Sequence, residues 1–448
     1  MDEPWLHELL ERAIADEPPI GPVAHNSLRA GLRRRRHRRV QGGAACAAAV
    51  AVIGAGAVAV TGAPGTPAAD GTNAQTVYVL GDDGTVTPIS TATNTPGEPI
   101  KVGRNSQFMA LTPNGKTLYV ASEPDTVTPI ATATDTPGKP VKVGDGPALS
   151  QILFTPDGQT AYVATYSGVT PISTATNTPE KPITGTGTGV GGPDVMAITP
   201  DGKTLYVASG NTVIPVSTAT NTPGKPIQVA GQEQTFDDQI IITPDGSTLY
   251  VFGVGGVLNQ NGVITPVSTA TNTPGQPISV VADRAFAMAM TPDGSALYVA
   301  AGNGQDVVPI STATNTPGPP INVAGMAYDI AVTPDGQTAY VASQHRCRLP
   351  GRNLPLSCGP IEVTPISTAT NTPGTPVKVT ADKLPEGNSL AITPDGKTIY
   401  IISGNGSTVT PITIATNTAG KPVNVKGAQE IVITPSPVRG RSGRAGTR

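Results

Sequence analysis

Two cysteines and three arginines that could do chemistry lie in one irregular segment, Gln344–Glu362. Cys347 and Cys358 are separated by ten residues, and in a protein exported to an oxidising compartment such a pair predicts a disulfide. The same segment is basic, which would suit an anionic partner. The alternative is a disulfide-bonded loop with no binding role. The arginines of this segment are Arg346, Arg348 and Arg352.

A second candidate site consists of polar residues at the starts of segments that recur along the chain. If these segments are the inner strands of a closed ring, the side chains would meet at the mouth of a central channel and could bind one ligand or ion. The alternative is that they only solvate a water-filled channel. The residues are Gln151, Asp194, Asp238, Gln239, Arg284, Asp329, Asn388 and Glu430.

The sequence lacks the residue patterns of the common hydrolytic and metal sites. His345 is the only histidine after residue 41, and the chain contains neither an H-E-x-x-H motif nor a nucleophile elbow. We therefore predict no catalytic residue, no metal and no cofactor, and expect a protein that is not an enzyme. The alternative is a hydrolase or lactonase that uses acidic residues at the channel mouth.

The elements that would position these residues are eight copies of one sequence unit between residues 76 and 435. Each copy has a tyrosine in an apolar run, then V-x-P-[IV]-[SAT], and then the tag [ST]-x-A-T-[ND]-T. A Thr-Pro turn, usually followed by Asp-Gly, separates each unit from the next tyrosine. The tyrosines are Tyr78, Tyr119, Tyr162, Tyr206, Tyr250, Tyr298, Tyr340 and Tyr400.

A period of roughly 40–50 residues made of short strands and turns predicts an all-β fold, the β-propeller. Eight units predict eight four-stranded blades, with seven blades as the alternative. The repeats begin with strands B to D of the first unit and end with a lone strand A at residues 429–434. This last strand should pair with the first unit and close the ring, which leaves no open sheet edge.

Each unit also has a proline inside the predicted strand C. A proline lacks the N–H group that an inner strand donates to its neighbour. We therefore expect a bulge or a strand break at this position in every blade. The prolines are Pro88, Pro129, Pro171, Pro215, Pro266, Pro309, Pro365 and Pro411.

The units resemble the YVTN β-propeller family, whose repeat has a Pro-Asp-Gly turn, a Tyr-Val strand and an Asp-Thr-Ala-Thr-Asn turn near the end of strand C. The resemblance covers about four fifths of the chain and implies a bacterial propeller. Two features depart from the family. Its aspartate before Thr-Ala-Thr is serine in six units, Ala131 in one and Thr413 in another, and the family usually has seven blades.

Residues 42–62 form an uncharged run of 21 residues, long enough for one transmembrane helix of about 20 residues. Six arginines between Arg33 and Arg39 flank this run on its N-terminal side. This asymmetry predicts a cytoplasmic N-terminus and an extracytoplasmic propeller. The alternative is a signal peptide cleaved near Ala63, Ala68 or Ala74, followed by secretion.

The predicted domains are a cytoplasmic segment (1–41), the transmembrane helix (42–62), a linker (63–75), the propeller (76–435) and a disordered basic tail (436–448). The cytoplasmic segment contains a short amphipathic helix, which would lie on the membrane surface or dock on a cytoplasmic protein. Its apolar residues are Trp5, Leu6, Leu9, Leu10, Ala13 and Ile14.

The net charge of −3 is distributed unevenly along the chain. Residues 43–434 contain 17 Lys and Arg against 26 Asp and Glu, which argues against nucleic acid as a partner. We expect a membrane-anchored extracytoplasmic propeller that acts as a non-enzymatic binding or scaffold module at the cell surface, for a cell-envelope protein or polymer. A further alternative is a sensor coupled to a cytoplasmic partner of residues 1–41.

Overall fold

Each repeated unit folds into one small antiparallel sheet, because its apolar runs are short and are punctuated by turn residues. The computed structural model describes residues 75–435 except 145–148, 166, 187–194, 231–238, 255–261, 281–284, 302–305, 345–358, 380–388 and 404–405. In this part of the chain all regular elements are strands. We number the blades from the first, which contains Tyr78, to the eighth, which contains Tyr400.

The four strands of each blade are labelled A, B, C and D in the order in which they lie across the sheet. The A strands of blades one to eight are Ala428–Ile433, Ser106–Leu111, Leu149–Phe154, Val195–Ile198, Gln239–Ile242, Ala285–Met290, Met326–Val332 and Leu390–Ile392. The B strands are Thr76–Gly81, Thr117–Ser122, Thr160–Thr165, Thr204–Ser209, Thr248–Val254, Ala296–Ala301, Thr338–Gln344 and Thr398–Ser403.

Strand C is regular, whereas the outer strand D is divided into two short pieces. The C strands are Thr85–Ser90, Thr126–Ala131, Gly168–Ser173, Thr212–Ser217, Gly262–Ser268, Asp306–Ser311, Ile361–Ser367 and Thr408–Thr413. The first D pieces are Thr95–Pro96, Thr136–Pro137, Thr178–Pro179, Thr222–Pro223, Thr273–Pro274, Thr316–Pro317, Thr372–Pro373 and Thr418–Ala419. The second pieces are Ile100–Lys101, Val141–Lys142, Ile227–Gln228, Ile278–Val280, Ile321–Asn322, Val377–Val379 and Val423–Asn424, with a single bridge from Ile183 to Val169 in the third blade.

The last strand closes the ring on the first blade. Ala428–Ile433 pairs antiparallel with Thr76–Gly81, from Val77 opposite Ile433 to Gly81 opposite Ala428. Next to this ladder, the Thr434 N–H donates to the Thr76 carbonyl at 3.0 Å and the Thr76 N–H donates to Thr434 Oγ1 at 2.9 Å. The predictions of eight blades and of closure by the C-terminal strand are both confirmed.

The core lies between the blades rather than within any one of them. Buried side chains of facing sheets form eight clusters, one at each interface between neighbouring blades. In one of them, Leu153 and Tyr162 of the third blade pack against Met196 and Leu205 of the fourth. Because each blade needs a neighbour on both sides, closure is a condition for burying the core of all eight.

The predicted bulge or break at the strand C prolines is wrong. Strand C runs without a register shift through Pro88, which faces Tyr78 across the sheet. The Pro88 carbonyl accepts a hydrogen bond of 2.7 Å from the Gly97 N–H on the outer side, so the proline nitrogen faces that side as well. The outer strand is interrupted there, between its two pieces, and the missing N–H group therefore removes no ladder bond. The same carbonyl contact recurs at the other seven prolines.

The Asp-Gly turns between strands A and B are held by a threonine two residues before the aspartate. In the third blade, Asp157 Oδ1 accepts hydrogen bonds from Thr155 Oγ1 at 2.5 Å and from the Gln159 N–H at 3.0 Å. These bonds lower the pKa of the Asp157 carboxyl group, the threonine contributing most. The second blade makes the same turn with the uncharged Asn114.

We expect these turns to make the fold acid-sensitive. A carboxyl group whose pKa is lower in the folded chain stabilises the fold above its ordinary pKa, and this contribution is lost as pH falls through the lowered value. Replacing the six turn aspartates by asparagine should make the midpoint temperature of unfolding fall less steeply between about pH 5 and pH 2. An equally steep fall in the substituted protein would contradict this prediction. The six residues are Asp157, Asp201, Asp245, Asp293, Asp335 and Asp395.

Candidate functional site

The basic segment identified in the sequence connects strands B and C of the seventh blade. These strands, Thr338–Gln344 and Ile361–Ser367, are antiparallel neighbours. The Gln344 side chain donates from Nε2 to the Gly359 carbonyl at 3.0 Å at the base of the connection. The segment's five candidate residues lie outside the described part of the chain, so the disulfide and the binding role remain predictions. They are Arg346, Cys347, Arg348, Arg352 and Cys358.

Of the eight predicted channel-mouth residues, the structure describes four, at one register position of strand A. Each lies four residues before the threonine that follows strand A, and each is almost fully buried, with an exposed fraction between 2% and 5%. They belong to the first, third, fifth and seventh blades: Glu430, Gln151, Gln239 and Asp329. The other four lie outside the described residues: Asp194, Asp238, Arg284 and Asn388.

The side chains of Glu430, Gln151 and Asp329 bridge to strand A of the next blade. Glu430 Oε2 accepts the Met109 N–H of the second blade at 2.8 Å. Gln151 Oε1 accepts the Met196 N–H of the fourth blade at 2.5 Å. The Gln151 Nε2 atom has no hydrogen-bond partner and remains a buried donor beside this bridge. A side-chain oxygen at this position therefore joins the A strands of two neighbouring blades.

Asp329 makes a bridge to several donors of the eighth blade. Its Oδ2 accepts the Ser389 and Leu390 N–H groups of the eighth blade, both at 3.0 Å, and the Ser389 hydroxyl at 3.3 Å. Its Oδ1 accepts the N–H of Ile330 in its own strand at 2.8 Å. Burial raises the pKa of the Asp329 carboxyl group to about 7, although these hydrogen bonds act in the opposite direction.

The even-numbered blades have no acid or carboxamide at this register position. Phe108, Val195 and Ala287 occupy it in the second, fourth and sixth blades, and Ser389 in the eighth. The alternation of polar and mostly apolar residues is readable in the sequence once the units are aligned on the Thr-Pro turn. The channel-mouth hypothesis grouped these residues by polarity and missed the bridging role.

A second ring of contacts links the blades at their tags and was not foreseen. The hydroxyl groups of seven of the eight repeat tyrosines donate to the side chain of the αL residue in the next blade's tag, for example from Tyr250 to Asn315 Oδ1 at 2.7 Å. The eighth blade reaches the first through Tyr400 and Asn94 at 2.6 Å. Burial raises the pKa of Tyr250 to about 12, which keeps this donor protonated. Similar links are Tyr78 to Asp135, Tyr119 to Asn177, Tyr162 to Asn221, Tyr206 to Asn272 and Tyr298 to Asn371.

The seventh and eighth blades depart from this pattern. The oxygen of the Asn417 side chain has no hydrogen-bond partner, so the link from Tyr340 is not made. The Asn417 side chain instead donates from Nδ2 to the Thr375 carbonyl at 2.9 Å. This interface is the exception among the eight tyrosine positions, all of which the structure describes.

This exception supplies a matched test of the tyrosine links. Replacing Tyr250 by phenylalanine should lower the free energy of unfolding by about 1 kcal/mol, because the half-buried Asn315 side chain loses its donor. Replacing Tyr340 by phenylalanine should leave it nearly unchanged, since that hydroxyl group makes no such bond. Chemical unfolding of the two variants beside the parent measures the difference. Equal losses in both would refute the role assigned to the links.

Solved structures with a similar chain path come from proteins of low sequence identity. The dihydro-heme d1 dehydrogenase NirN in complex with DHE is 15% identical over 83% of this chain and 77% of its own, with a TM-score of 0.63. A functionally unknown protein from Desulfotomaculum acetoxidans is 16% identical over 81% and 99%, with a TM-score of 0.52. The fold is an eight-bladed β-propeller. At these identities the similarity shows the fold alone.

No protein-family model matches the propeller, and no curated protein matches it. The resemblance to the YVTN family therefore stays an interpretation of the repeats. A third solved structure, Kuenenia stuttgartiensis hydrazine synthase, is 19% identical over 68% of this chain and 95% of its own, with a TM-score of 0.46.

The chemistry available in the described part of the propeller is limited. Across these residues no group of three or more His, Cys, Asp or Glu side chains could hold a metal ion. Among the described residues of the A strands, Asp329 and Glu430 are the buried acids, and both accept backbone N–H groups. Among the same residues no helix is long and apolar enough to cross a membrane, and the predicted transmembrane helix at 42–62 lies outside them.

Proposed function

We propose that this chain is a membrane-anchored, extracytoplasmic β-propeller that acts as a non-enzymatic binding or scaffold module at the cell surface. The proposal rests on the observation that the repeated polar side chains make contacts that hold the fold together. The turn aspartates hold their own turns, the tag asparagines link neighbouring blades, and the buried acids of the A strands bridge blades. Residues that serve these contacts are not free for catalysis.

The residues that differ between units point to one face of the propeller as the binding face. The A–B and C–D turns share one face and have nearly the same sequence in every blade. The B–C and D–A connections leave the sheets at the opposite face, and they vary in length and charge. The basic segment between Gln344 and Ile361 is the largest of these departures, on a domain whose net charge is negative. A cell-envelope protein or polymer with negative charge fits this segment best.

The binding role can be tested with two charge-matched variants of the full-length protein in detergent. One replaces Arg346, Arg348 and Arg352 by alanine on the variable face. The other replaces Lys139, Lys181 and Lys225 by alanine at equivalent positions of the outer strand, between the two pieces of strand D. We expect the arginine variant to bind an isolated cell-envelope fraction at least about tenfold more weakly, and the lysine variant to bind like the parent. Equal binding by all three proteins would overturn the assignment of the basic segment.

The membrane anchor at residues 42–62 is part of the same proposal. The protein should remain in the membrane pellet after an alkaline carbonate wash, and protease added to intact cells should remove the propeller but not residues 1–41. Recovery of a mature chain that begins near Ala63, Ala68 or Ala74 in the medium would instead establish the secreted alternative. In either case the propeller is exported, which the proposed disulfide requires.

The hydrolase or lactonase alternative has a separate test. Turnover of ester or lactone substrates that is lost when Glu430 is replaced by glutamine, without loss of folding, would favour an enzyme. The contacts of Glu430 argue against this result, since its carboxylate accepts a backbone N–H group of the second blade.

A further inference from the structure

We propose that the last threonine of each tag is an acceptor for an O-linked sugar, which is transferred from a lipid-linked sugar phosphate at the outer side of the membrane. The proposal rests on the export of the propeller proposed above and not on the binding role of the basic segment. The acceptors are Thr95, Thr136, Thr178, Thr222, Thr273, Thr316, Thr372 and Thr418.

Every tag presents two threonine side chains to solvent. In the fifth blade these are Thr271 and Thr273, and both are exposed, as are their counterparts in the other seven tags. The residues on either side are small and exposed as well, Ala270 before the pair and Gly275 after it. The hydroxyl groups are therefore accessible to a reagent as large as a glycosyltransferase.

These hydroxyl groups are bonded to each other rather than to the body of the blade. Thr271 Oγ1 and Thr273 Oγ1 are hydrogen-bonded at 2.7 Å, and six other tags contain the same pair at 2.6–2.7 Å. In the second tag Thr136 Oγ1 instead donates to the Thr134 carbonyl at 3.1 Å. Two hydroxyl groups that share one hydrogen bond leave the second proton free to face solvent.

The first threonine of the tag has a different role. Thr269 Oγ1 donates to the Gly246 carbonyl in the A–B turn of the same blade at 2.5 Å, and the equivalent bond recurs in five other blades. This threonine is half-buried and holds the tag against the blade. The two exposed threonines therefore remain as the side chains of the tag that a modifying enzyme could reach.

The backbone distinguishes the two exposed threonines as acceptors. Thr273 and Pro274 form the first piece of strand D, antiparallel to strand C, and a proline restricts the residue before it to extended conformations. Thr271 lies in the turn, directly before Asn272 with its φ of 54°. An enzyme that binds its acceptor as an extended segment reads alternate side chains. The last threonine of the tag meets this condition, and the threonine in the turn does not.

The composition of the tag agrees with this assignment. Exported segments that are rich in threonine and proline are typical carriers of O-linked sugars, and a threonine-proline pair ends seven of the eight tags. The bond from Thr269 to Gly246 places the tags beside the A–B turns. The sugars would therefore surround the face that these turns share with the C–D turns. The variable face, with its B–C and D–A connections, would stay open to a partner.

The transfer is a displacement at the anomeric carbon of the sugar phosphate. The threonine Oγ1 forms the new bond to this carbon, and the bond from the carbon to the phosphate oxygen breaks. The phosphate leaves with the electron pair, and the hydroxyl proton passes to a base of the transferase. The reaction changes no oxidation state, and the lipid-linked sugar phosphate is its only co-substrate.

Mass spectrometry of the propeller released by protease from intact cells of the organism that encodes it tests the proposal. Peptides that contain the tags should be heavier by whole sugar residues, and fragmentation that preserves the modification should place the sugar on the last threonine. In the full-length protein, Thr273→Val should remove the sugar from the fifth tag, whereas Thr271→Val should leave it in place. Both variants break the same hydroxyl pair and keep a β-branched side chain, so each controls for the structural effect of the other.

Unmodified tags in the released propeller would overturn the glycosylation and leave the export intact, whereas a propeller that external protease cannot reach would overturn both. Phosphate in place of sugar, or sugar on Thr271 alone, would also overturn the proposal. If Thr273→Val does not fold, Thr273→Ser replaces it as the test. This variant keeps the hydroxyl group and should keep the sugar, and loss of the sugar from every tag would contradict the assignment.

Discussion

A chain that ends at residue 427 is expected to lose the cooperative unfolding transition of the propeller. The deletion removes Ala428–Ile433, which forms strand A of the first blade. Ile431, Val432 and Ile433 are each no more than 8% exposed, and burying three aliphatic side chains contributes about 5–9 kcal/mol. The deletion also removes the Glu430 bridge to the second blade and exposes the edge of Thr76–Gly81. These losses are comparable to the about 5–15 kcal/mol by which a folded domain is stable.

Differential scanning calorimetry of two truncations tests this prediction. A chain that ends at residue 435 keeps the closing strand and should unfold like the parent, whereas a chain that ends at residue 427 should show no sharp transition. A synthetic peptide of residues 426–436 added to the shorter chain should restore the transition. An unchanged midpoint in the shorter chain would show that the ring does not depend on its last strand.

The architecture was predictable because it depends on features that repeat. Eight tyrosine runs with intervening turns predicted eight blades, and the lone strand at the end of the repeats predicted the closure. The predicted strand at residues 429–434 differs from the observed Ala428–Ile433 by one residue at each end. An error in one unit has little effect on such a prediction, since seven others report the same pattern.

The effect of the strand C prolines was not predictable from strand propensity alone. A proline disturbs a sheet only when its nitrogen faces a partner that needs a donor. At Pro88 the nitrogen faces the gap between the two pieces of the outer strand. The decisive feature is that strand D has no hydrogen-bond partner at this point, and the sequence of strand C alone does not show this.

The links between blades were missed for a different reason. Tyr78 and Asp135 are 57 residues apart in sequence, and each had a sufficient local explanation, as a core tyrosine and as a turn residue. The same holds for Glu430 and Met109, which are 321 residues apart. A contact that joins neighbouring units appears only when the closed ring is known. The chemistry predicted for Arg346 and for Cys347 with Cys358 stays a prediction.

Replacing Gly84 by alanine should be among the most damaging single substitutions in the propeller. Gly84 lies in the B–C turn of the first blade with a φ of +78°, and a methyl group there would lie 2.2 Å from the Gly103 carbonyl oxygen. The obstacle is backbone and cannot rotate away. Left-handed backbone strain and overpacking together should cost about 2–5 kcal/mol of unfolding free energy.

The third blade provides a matched control for this substitution. Gly185 has a φ of +77°, but a methyl group there would have no atom of the described residues within 4 Å. Alanine at Gly185 should therefore cost only the backbone strain, about 1–2 kcal/mol, and the difference between the two variants measures the contact with Gly103. The Gly84 N–H group also donates to the Gly81 carbonyl, and the Gly84 carbonyl accepts the Val102 N–H. A displaced turn would therefore disturb both of these contacts in the first blade, where the ring closes. Equal destabilisation of the two variants in chemical unfolding would mean that strain alone explains the requirement for glycine.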